Sequence, residues 1–99
     1  MRVILNKNGS SLDVKVTERL DTTTAPQLEK ELSTQLDGVE SLTLDFSELN
    51  YVSSAGLRVL LSLQKIMNKQ GEMVVRNVNE NIMEVFDITG FVDVLNIEQ

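Results

Sequence analysis

A strand pattern and a helix pattern meet within residues 44–61, which read LDFSELNYVSSAGLRVLL. Apolar and polar residues alternate up to Phe46, as expected for a strand with one buried face. The segment SELNYV at 47–52 is predicted to be a turn, and the helix pattern begins at Ser53 and Ser54. Serine is a preferred N-cap because its hydroxyl accepts a hydrogen bond from an otherwise unpaired helical N–H. One serine is enough for that role, so the second needs another explanation.

The residues after the paired serines are small for a helix start. Ala55 and Gly56 follow Ser54, and a glycine in a helix costs up to about 1 kcal/mol relative to alanine. That cost indicates that something approaches the backbone closely at this point. A phosphate on Ser54 would meet free N–H groups and the positive end of the helix dipole, so the helix would tolerate it.

Composition limits the functions that the chain can have. With 99 residues, 41% of them hydrophobic, it is expected to form one domain spanning residues 1–99. It has no histidine and no cysteine, which removes the commonest general base and metal ligand, disulfides and thiol nucleophiles. The formal net charge of −6 disfavours nucleic acid and anionic membrane surfaces as partners. No apolar run is long enough to span a membrane and no signal peptide is recognisable, so we expect a cytoplasmic protein.

Periodicity predicts the element order β-β-α-β-α-β-α-β, an α/β domain with a mixed sheet of about five strands and helices after strands 2, 3 and 4. The predicted strands are residues 3–5, 12–18, 41–46, 72–78 and 92–97. The predicted helices are residues 25–36, residues 54–69 and a short one between an Asn79 N-cap and Gly90. An Asn-Gly pair at 8–9 predicts a hairpin between the first two strands.

The first predicted helix has both a start signal and an apolar repeat. Thr24 and Gln27 have the spacing of a capping box, and Pro26 is tolerated in a first turn. Leucines recur at every fourth position, namely Leu28, Leu32 and Leu36. This spacing predicts one buried face.

The second predicted helix has two different faces when plotted at 100° per residue. The face predicted to lie in the core carries Val59, Leu60, Leu63, Ile66 and Met67. The opposite stripe carries Arg58, Ser62, Lys65 and Lys69, with Ser54 at its head. The stripe is either a solvated face or a recognition surface. Leu57 and Leu61 flank it, and they either cover the edge of the core or form the apolar part of a binding surface.

Residues 44–61 resemble the signature of the STAS domain, in particular that of the single-domain bacterial anti-sigma-factor antagonists. In that family a strand ending in LD(F/L)S leads through a turn to (D/S)S(S/T/A)GL at the start of the second helix. Here the matching runs are LDFS at 44–47 and SSAGLR at 53–58. RLDTTTAPQLEKEL at 19–32 is similar to the family's other recurrent stretch, a loop entering the first helix. The element order matches over nearly the whole chain.

The resemblance implies an antagonist that binds an anti-sigma factor in its unphosphorylated state and so releases a sigma factor. In the family the anti-sigma factor is usually also a serine kinase, whose phosphorylation of the antagonist switches it off, and a serine phosphatase resets the switch. Alignment on Gly56 and Leu57 places the acceptor at Ser54. The implied partner-binding residues are Asp21, Thr22, Ser53, Ser54, Ala55, Gly56, Leu57, Arg58, Leu61 and Lys65. Two positions depart from the family pattern: Ser53 replaces a frequent acidic residue, and Arg19 replaces a frequent small residue or glycine.

Two other kinds of function compete with the one that this resemblance implies. A hydrolase would need G-x-S-x-G and a base, but the motif is missing and there is no histidine. SLQK at 62–65 fits S-x-x-K, yet it lies inside an amphipathic helix without the companion motifs. We therefore expect no enzyme activity and no cofactor. The alternative on the same fold is a non-switching interaction module, either a signalling scaffold or a cytosolic subunit of a lipid transporter.

Overall fold

A computed structural model describes residues 1–98. The strands are β1 Val3–Asn8, β2 Ser11–Leu20, β3 Ser41–Val52, β4 Glu72–Arg76 and β5 Ile97–Glu98. The helices are α1 Ala25–Ser33, α2 Ser54–Asn68 and α3 Glu80–Thr89, followed by a 3₁₀ turn at Phe91–Asp93. The sheet has the order β1-β2-β3-β4-β5, in which β1 is antiparallel to β2 and the other neighbours are parallel. The predicted α/β fold with a mixed five-stranded sheet is confirmed.

The core lies between one face of the sheet and the helices. Alternate residues of the central strands are fully buried, as the period of two predicts: Leu12, Val14, Val16, Leu42, Leu44 and Phe46. The helices contribute Leu28, Leu32, Leu60, Leu63 and Met67 from their apolar faces. Each such side chain contributes about 1.5–3 kcal/mol when it leaves water. Packing of α1 and α2 over the strands therefore fixes where both helices begin.

The N-terminal hairpin is confirmed and is longer than predicted. Asn8 pairs with Ser11, so only two residues form the turn. Gly9 takes a positive φ of 64°, which a side chain would disfavour. β1 then pairs along its whole length with β2, although its apolar run ends at residue 5.

The turn predicted at 47–52 is wrong, because β3 continues through it to Val52. Its pairing with β2 shifts register twice, between Lys15 and Thr17 and again between Glu18 and Arg19. Such bulges break the alternation of buried and exposed residues. After Phe46 the next buried residues of β3 come at intervals of three, which does not look like a strand in the sequence.

The C-terminal strand predicted at 92–97 is also wrong in most of its length. Phe91–Asp93 form the 3₁₀ turn, and only Ile97–Glu98 pair with β4. Valines at 92 and 94 suggest a strand by composition, but Val94 is 41% exposed and joins no ladder. β4 itself ends at Arg76, two residues before its predicted end, because Asn77 has a φ of +60° and leaves the extended region.

Helix boundaries agree in part with the sequence signals. Asn79 caps α3 by accepting from the N–H of Ile82 over 2.9 Å, and Gly90 ends it with a φ of +81°, both as predicted. α1 ends at Ser33, three residues before Leu36, which is nevertheless buried. The prediction that Ile66 lies on the core face of α2 is wrong, because its side chain is 39% exposed. The buried face of α2 is narrower than the apolar face of its sequence.

Candidate functional site

The segment at 53–58 begins where β3 ends and is fixed to the neighbouring strand. The backbone N–H of Ser53 donates to the carbonyl of Leu20, the last residue of β2, over 2.9 Å. The loop that follows β2 and the start of α2 therefore lie at the same edge of the sheet. This edge holds the acceptor and loop positions that the sequence resemblance singled out.

The two adjacent serines have different environments. Ser53 is the N-cap of α2, and its hydroxyl accepts from the N–H of Gly56 over 3.3 Å, so the predicted capping role is confirmed. Ser54 is the first helical residue and its side chain is exposed. Within residues 1–98 its hydroxyl has no hydrogen-bond partner. The fold thus uses the hydroxyl of Ser53 and leaves that of Ser54 exposed.

Gly56 allows α2 to lie directly against the end of β2. A β-carbon at this position would lie 2.7 Å from the carbonyl oxygen of Leu20 and 2.9 Å from its Cγ. Separations under about 3 Å are far inside van der Waals contact for such atoms. The close approach that the sequence indicated is therefore made by the protein's own strand.

Asp21 organises the loop between β2 and α1. Its Oδ1 accepts from the hydroxyl of Thr23 at 2.8 Å and from the N–H groups of Thr23 and Thr24 at 3.0 and 3.1 Å. Its Oδ2 accepts from Nε of Arg19 at 3.2 Å. The pKa of this carboxyl is held well below its usual range, chiefly by the hydrogen bond from the Thr23 hydroxyl. The backbone N–H groups and Arg19 lower it further. The carboxylate is thus occupied inside the loop.

The capping box predicted for α1 is wrong. Thr24 makes no side-chain cap bond to the helix. Its hydroxyl instead donates to the carbonyl of Arg19 and accepts from the N–H of Asp21, each over 2.8 Å. The carbonyl of Asp21 accepts from Ala25 at 2.8 Å, so the loop folds around Asp21 and leaves Thr22 exposed beside it.

A shallow groove runs between α1 and α2, next to Ser54. Its end near the sheet edge has a volume of about 320 Å³ and is lined by Thr22, Ala25, Pro26, Glu29, Ala55, Arg58, Val59 and Ser62. Farther along the helices, Lys30, Lys65 and Ile66 line its continuation. The groove is open and has both apolar and charged walls, a shape suited to contact with another protein's surface.

The ten predicted site residues separate by exposure. Those with exposed side chains are Thr22, Ser54, Arg58 and Lys65. Those that are half-buried are Asp21, Ser53, Ala55 and Leu61. Gly56 and Leu57 are buried. Leu57 is only 7% exposed, so it covers the edge of the core and does not form the apolar part of a binding surface. We refer below to Thr22, Ser54, Arg58 and Lys65 as the switch surface.

Sequence reasoning missed one feature at this edge. The guanidinium carbon of Arg19 lies 4.3 Å from the centroid of the Tyr51 ring, and the two residues are partners in the β2–β3 register. Both side chains are largely exposed, Arg19 at 59% and Tyr51 at 42%. Tyr51 fell in the segment assigned to a turn, so no pairing between the two residues could be predicted.

A second cluster of polar side chains lies on the face of the sheet that points away from the helices. Lys15 forms an ion pair with Glu48, and Asp45 accepts from the side chain of Asn77 over 3.0 Å. Arg76 pairs with Glu98, its Nη2 lying 3.1 Å from Oε1. These charges are matched within the sheet, unlike the cations of the switch surface.

Neither a membrane-spanning helix nor a cluster of metal ligands occurs in the described part of the chain. No helix within residues 1–98 is long and apolar enough to cross a membrane. The same residues hold no group of three or more acidic side chains placed to bind a metal ion.

Known proteins resemble this chain over nearly its whole length. The sequence pattern described as the STAS domain matches residues 2–99. The candidate anti-sigma factor antagonist BtrV of Bordetella bronchiseptica is 35% identical over 99 residues, covering 98% of this chain and 85% of that protein. The anti-sigma-B factor antagonist of Bacillus subtilis is 28% identical over 98 residues, covering 98% and 90%. The Bacillus cell fate determinant SpoIIAA, solved in its phosphorylated form, has a TM-score of 0.76 at 17% identity, covering 99% of this chain and 92% of that one.

Proposed function

Since this chain belongs to the STAS domain family, we propose that it is an anti-sigma factor antagonist whose binding is switched by phosphorylation at Ser54. The unphosphorylated protein binds an anti-sigma factor, which then releases its sigma factor. We choose Ser54 over Ser53 as the acceptor because the two hydroxyls have different environments. The hydroxyl of Ser53 caps α2 by accepting from the N–H of Gly56. The hydroxyl of Ser54 is exposed at the start of the helix and makes no hydrogen bond within residues 1–98.

Phosphorylation of Ser54 changes charge without needing a change of fold. The hydroxyl gives up no hydrogen bond to residues 1–98 when it is modified. A phosphate adds about −1.5 to −2 charges at neutral pH, and the start of a helix tolerates negative charge. SpoIIAA, which shares this fold, exists in a phosphorylated form. The added charge would fall on a surface that carries Arg58 and Lys65, and it would offset the positive potential that a partner meets.

The switch surface supplies the side chains that contact the partner. Thr22 and Arg58 line the groove beside Ala55, and Lys65 extends it along α2. Leu61 is half-buried and adds apolar area at the edge. Gly56 and Leu57 act indirectly, by fixing the position of α2 on the sheet. Asp21 likewise acts by holding the loop that presents Thr22.

The chemistry of the cycle belongs to the partners. An anti-sigma factor with serine kinase activity would transfer the phosphate, and a serine phosphatase would remove it. The chain itself contributes the acceptor hydroxyl and the binding surface, with no catalytic residue and no cofactor. The cycle would take place in the cytoplasm, where sigma factors act.

Affinity purification from the cells that produce the protein tests this proposal. The tagged chain is isolated with phosphatase inhibitors, and mass spectrometry identifies both its partners and its phosphorylated residues. We expect an anti-sigma factor with a kinase domain, and phosphate on Ser54. Ser53→Ala and Ser54→Ala form the matched pair, because only the second should abolish the phosphate. Recovery of scaffold or transporter subunits alone, with Ser54 unmodified, would contradict the proposal and favour a non-switching module.

A further inference from the structure

Arg19 and Tyr51 form a stacked, exposed pair at the edge of the sheet where α2 begins. We propose that this pair binds a carboxylate on the anti-sigma factor and so helps this chain to select its partner. The inference rests on the proposed function, because it names a contact within the same complex.

The guanidinium is held ready for such a contact. Its Nε donates to Oδ2 of Asp21 at 3.2 Å, and its guanidinium carbon lies over the Tyr51 ring. The Asp21 carboxylate that holds Arg19 is itself fixed by hydrogen bonds from Thr23 and Thr24. The terminal nitrogens of Arg19 have no hydrogen-bond partner within residues 1–98. A planar guanidinium with both terminal nitrogens free presents parallel N–H groups that match a carboxylate.

The pair lies next to the strand residues that fix the start of α2. Arg19 and Tyr51 are opposite each other in the β2–β3 register, and the next pair is Leu20 with Val52. Leu20 also accepts from the N–H of Ser53. The pair is therefore one residue pair away, along β2 and β3, from the residues that fix the start of α2. This separation is smaller than the radius of a standard protein interface.

Charge and residue type both favour an acidic occupant. The chain carries a formal net charge of −6, yet the cations Arg19 and Arg58 are exposed in the segments that meet at this edge. Complementary potentials across an interface raise association rates and reject wrong partners. Arginine and tyrosine are also among the residues most enriched at positions that dominate binding energy. An acidic segment of the anti-sigma factor fits these features.

Arg76 provides a matched control within the same molecule. It is 57% exposed against 59% for Arg19, and its Nε also donates to a carboxylate, Oε1 of Glu98, over 3.2 Å. It lies on β4 opposite Asp45, away from the groove beside Ser54. Loss of this arginine changes net charge equally but removes nothing from the proposed interface.

The test compares Arg19→Gln with Arg76→Gln in binding to the anti-sigma factor identified with the wild-type chain. Titration calorimetry at two salt concentrations should show Arg19→Gln binding about tenfold more weakly or worse and with less salt dependence, while Arg76→Gln stays within about twofold of wild type. Circular dichroism melts establish that each variant is folded. Equal affinities of the two variants would overturn the inference. Absence of any complex with the wild-type chain would instead overturn the proposed function.

A second measurement keeps the inference testable if Arg19→Gln fails to fold. Tyr51 is the only tyrosine in the chain, so fluorotyrosine labels this ring alone. Addition of the anti-sigma factor to the labelled, otherwise unaltered protein should shift its fluorine resonance. A resonance that stays unchanged in the saturated complex would place Tyr51 outside the interface and overturn the inference.

Discussion

The backbone N–H of Ser53 donates to the carbonyl oxygen of Leu20 over 2.9 Å, and the same oxygen would lie 2.7 Å from a β-carbon at position 56. One carbonyl thus both holds the residue that caps α2 and limits the size of the third residue after it. Because Leu20 ends β2, Ser53 and the adjacent Ser54 are positioned by the sheet rather than by a free loop. This relationship explains how an exposed hydroxyl can be presented at a defined place.

Gly56→Ala should destabilise the protein, although alanine is the better helix former by about 1 kcal/mol. The new methyl group would meet a backbone carbonyl that cannot move aside. Overpacking of this kind costs about 1–3 kcal/mol. Urea denaturation measures the change, with Ser62→Ala in the same helix as the control that should be neutral or slightly stabilising. A Gly56→Ala protein more stable than wild type would show that α2 does not lie against Leu20.

Ser53→Ala and Ser54→Ala should differ in stability. The first removes the N-cap bond to Gly56, and such losses typically cost about 1 kcal/mol. The second removes a hydroxyl without a partner in residues 1–98 and should change the free energy of unfolding by less than about 0.5 kcal/mol. Chemical denaturation of both variants gives the comparison. Equal losses, or a larger loss for Ser54→Ala, would reverse the roles assigned to the two serines.

Asp21 should make stability depend on pH in the acidic range. Its pKa is lowered in the folded state, so the unfolded state binds more protons in the window between the two pKa values. Its contribution is therefore complete above the unfolded value of about 3.9 and is lost as the pH falls toward the folded value. Asp21→Asn should be less stable than wild type at neutral pH, and the difference should shrink below about pH 4. Urea denaturation across this range measures it, and a difference that grows on acidification would contradict the sign.

Regular periodicity made most of the fold predictable from sequence. Buried positions in β2 and the first half of β3, the leucine repeat of α1 and the caps of α3 all followed from spacing alone. Errors arose where tertiary contacts overrode local pattern. The second half of β3 is a strand because it pairs with β2 across two bulges, and the C-terminal valines belong mainly to a turn and a coil.

The candidate site was predictable in its position but not in its contacts. The run at 53–58 predicted the cap, which the structure has, and the acceptor, which stays a prediction. The neighbour that forces glycine at 56 belongs to β2 and lies far away in sequence. Asp21 was expected at the partner surface, whereas its carboxylate is taken up by bonds within the loop. The stacking of Arg19 on Tyr51 depends on strand register, which no local pattern reveals.

The most direct test of the account is the affinity of the cognate anti-sigma factor for the chain with and without phosphoserine at position 54. Phosphoserine introduced during translation gives a uniform sample without the kinase, and Ser54→Ala serves as the uncharged control. Wild type and Ser54→Ala should bind equally well, and the phosphoserine protein should bind at least about tenfold more weakly, because the added charge and bulk at position 54 remove the complementarity of the interface. Equal affinity of the phosphorylated and unphosphorylated proteins would contradict the switch at Ser54.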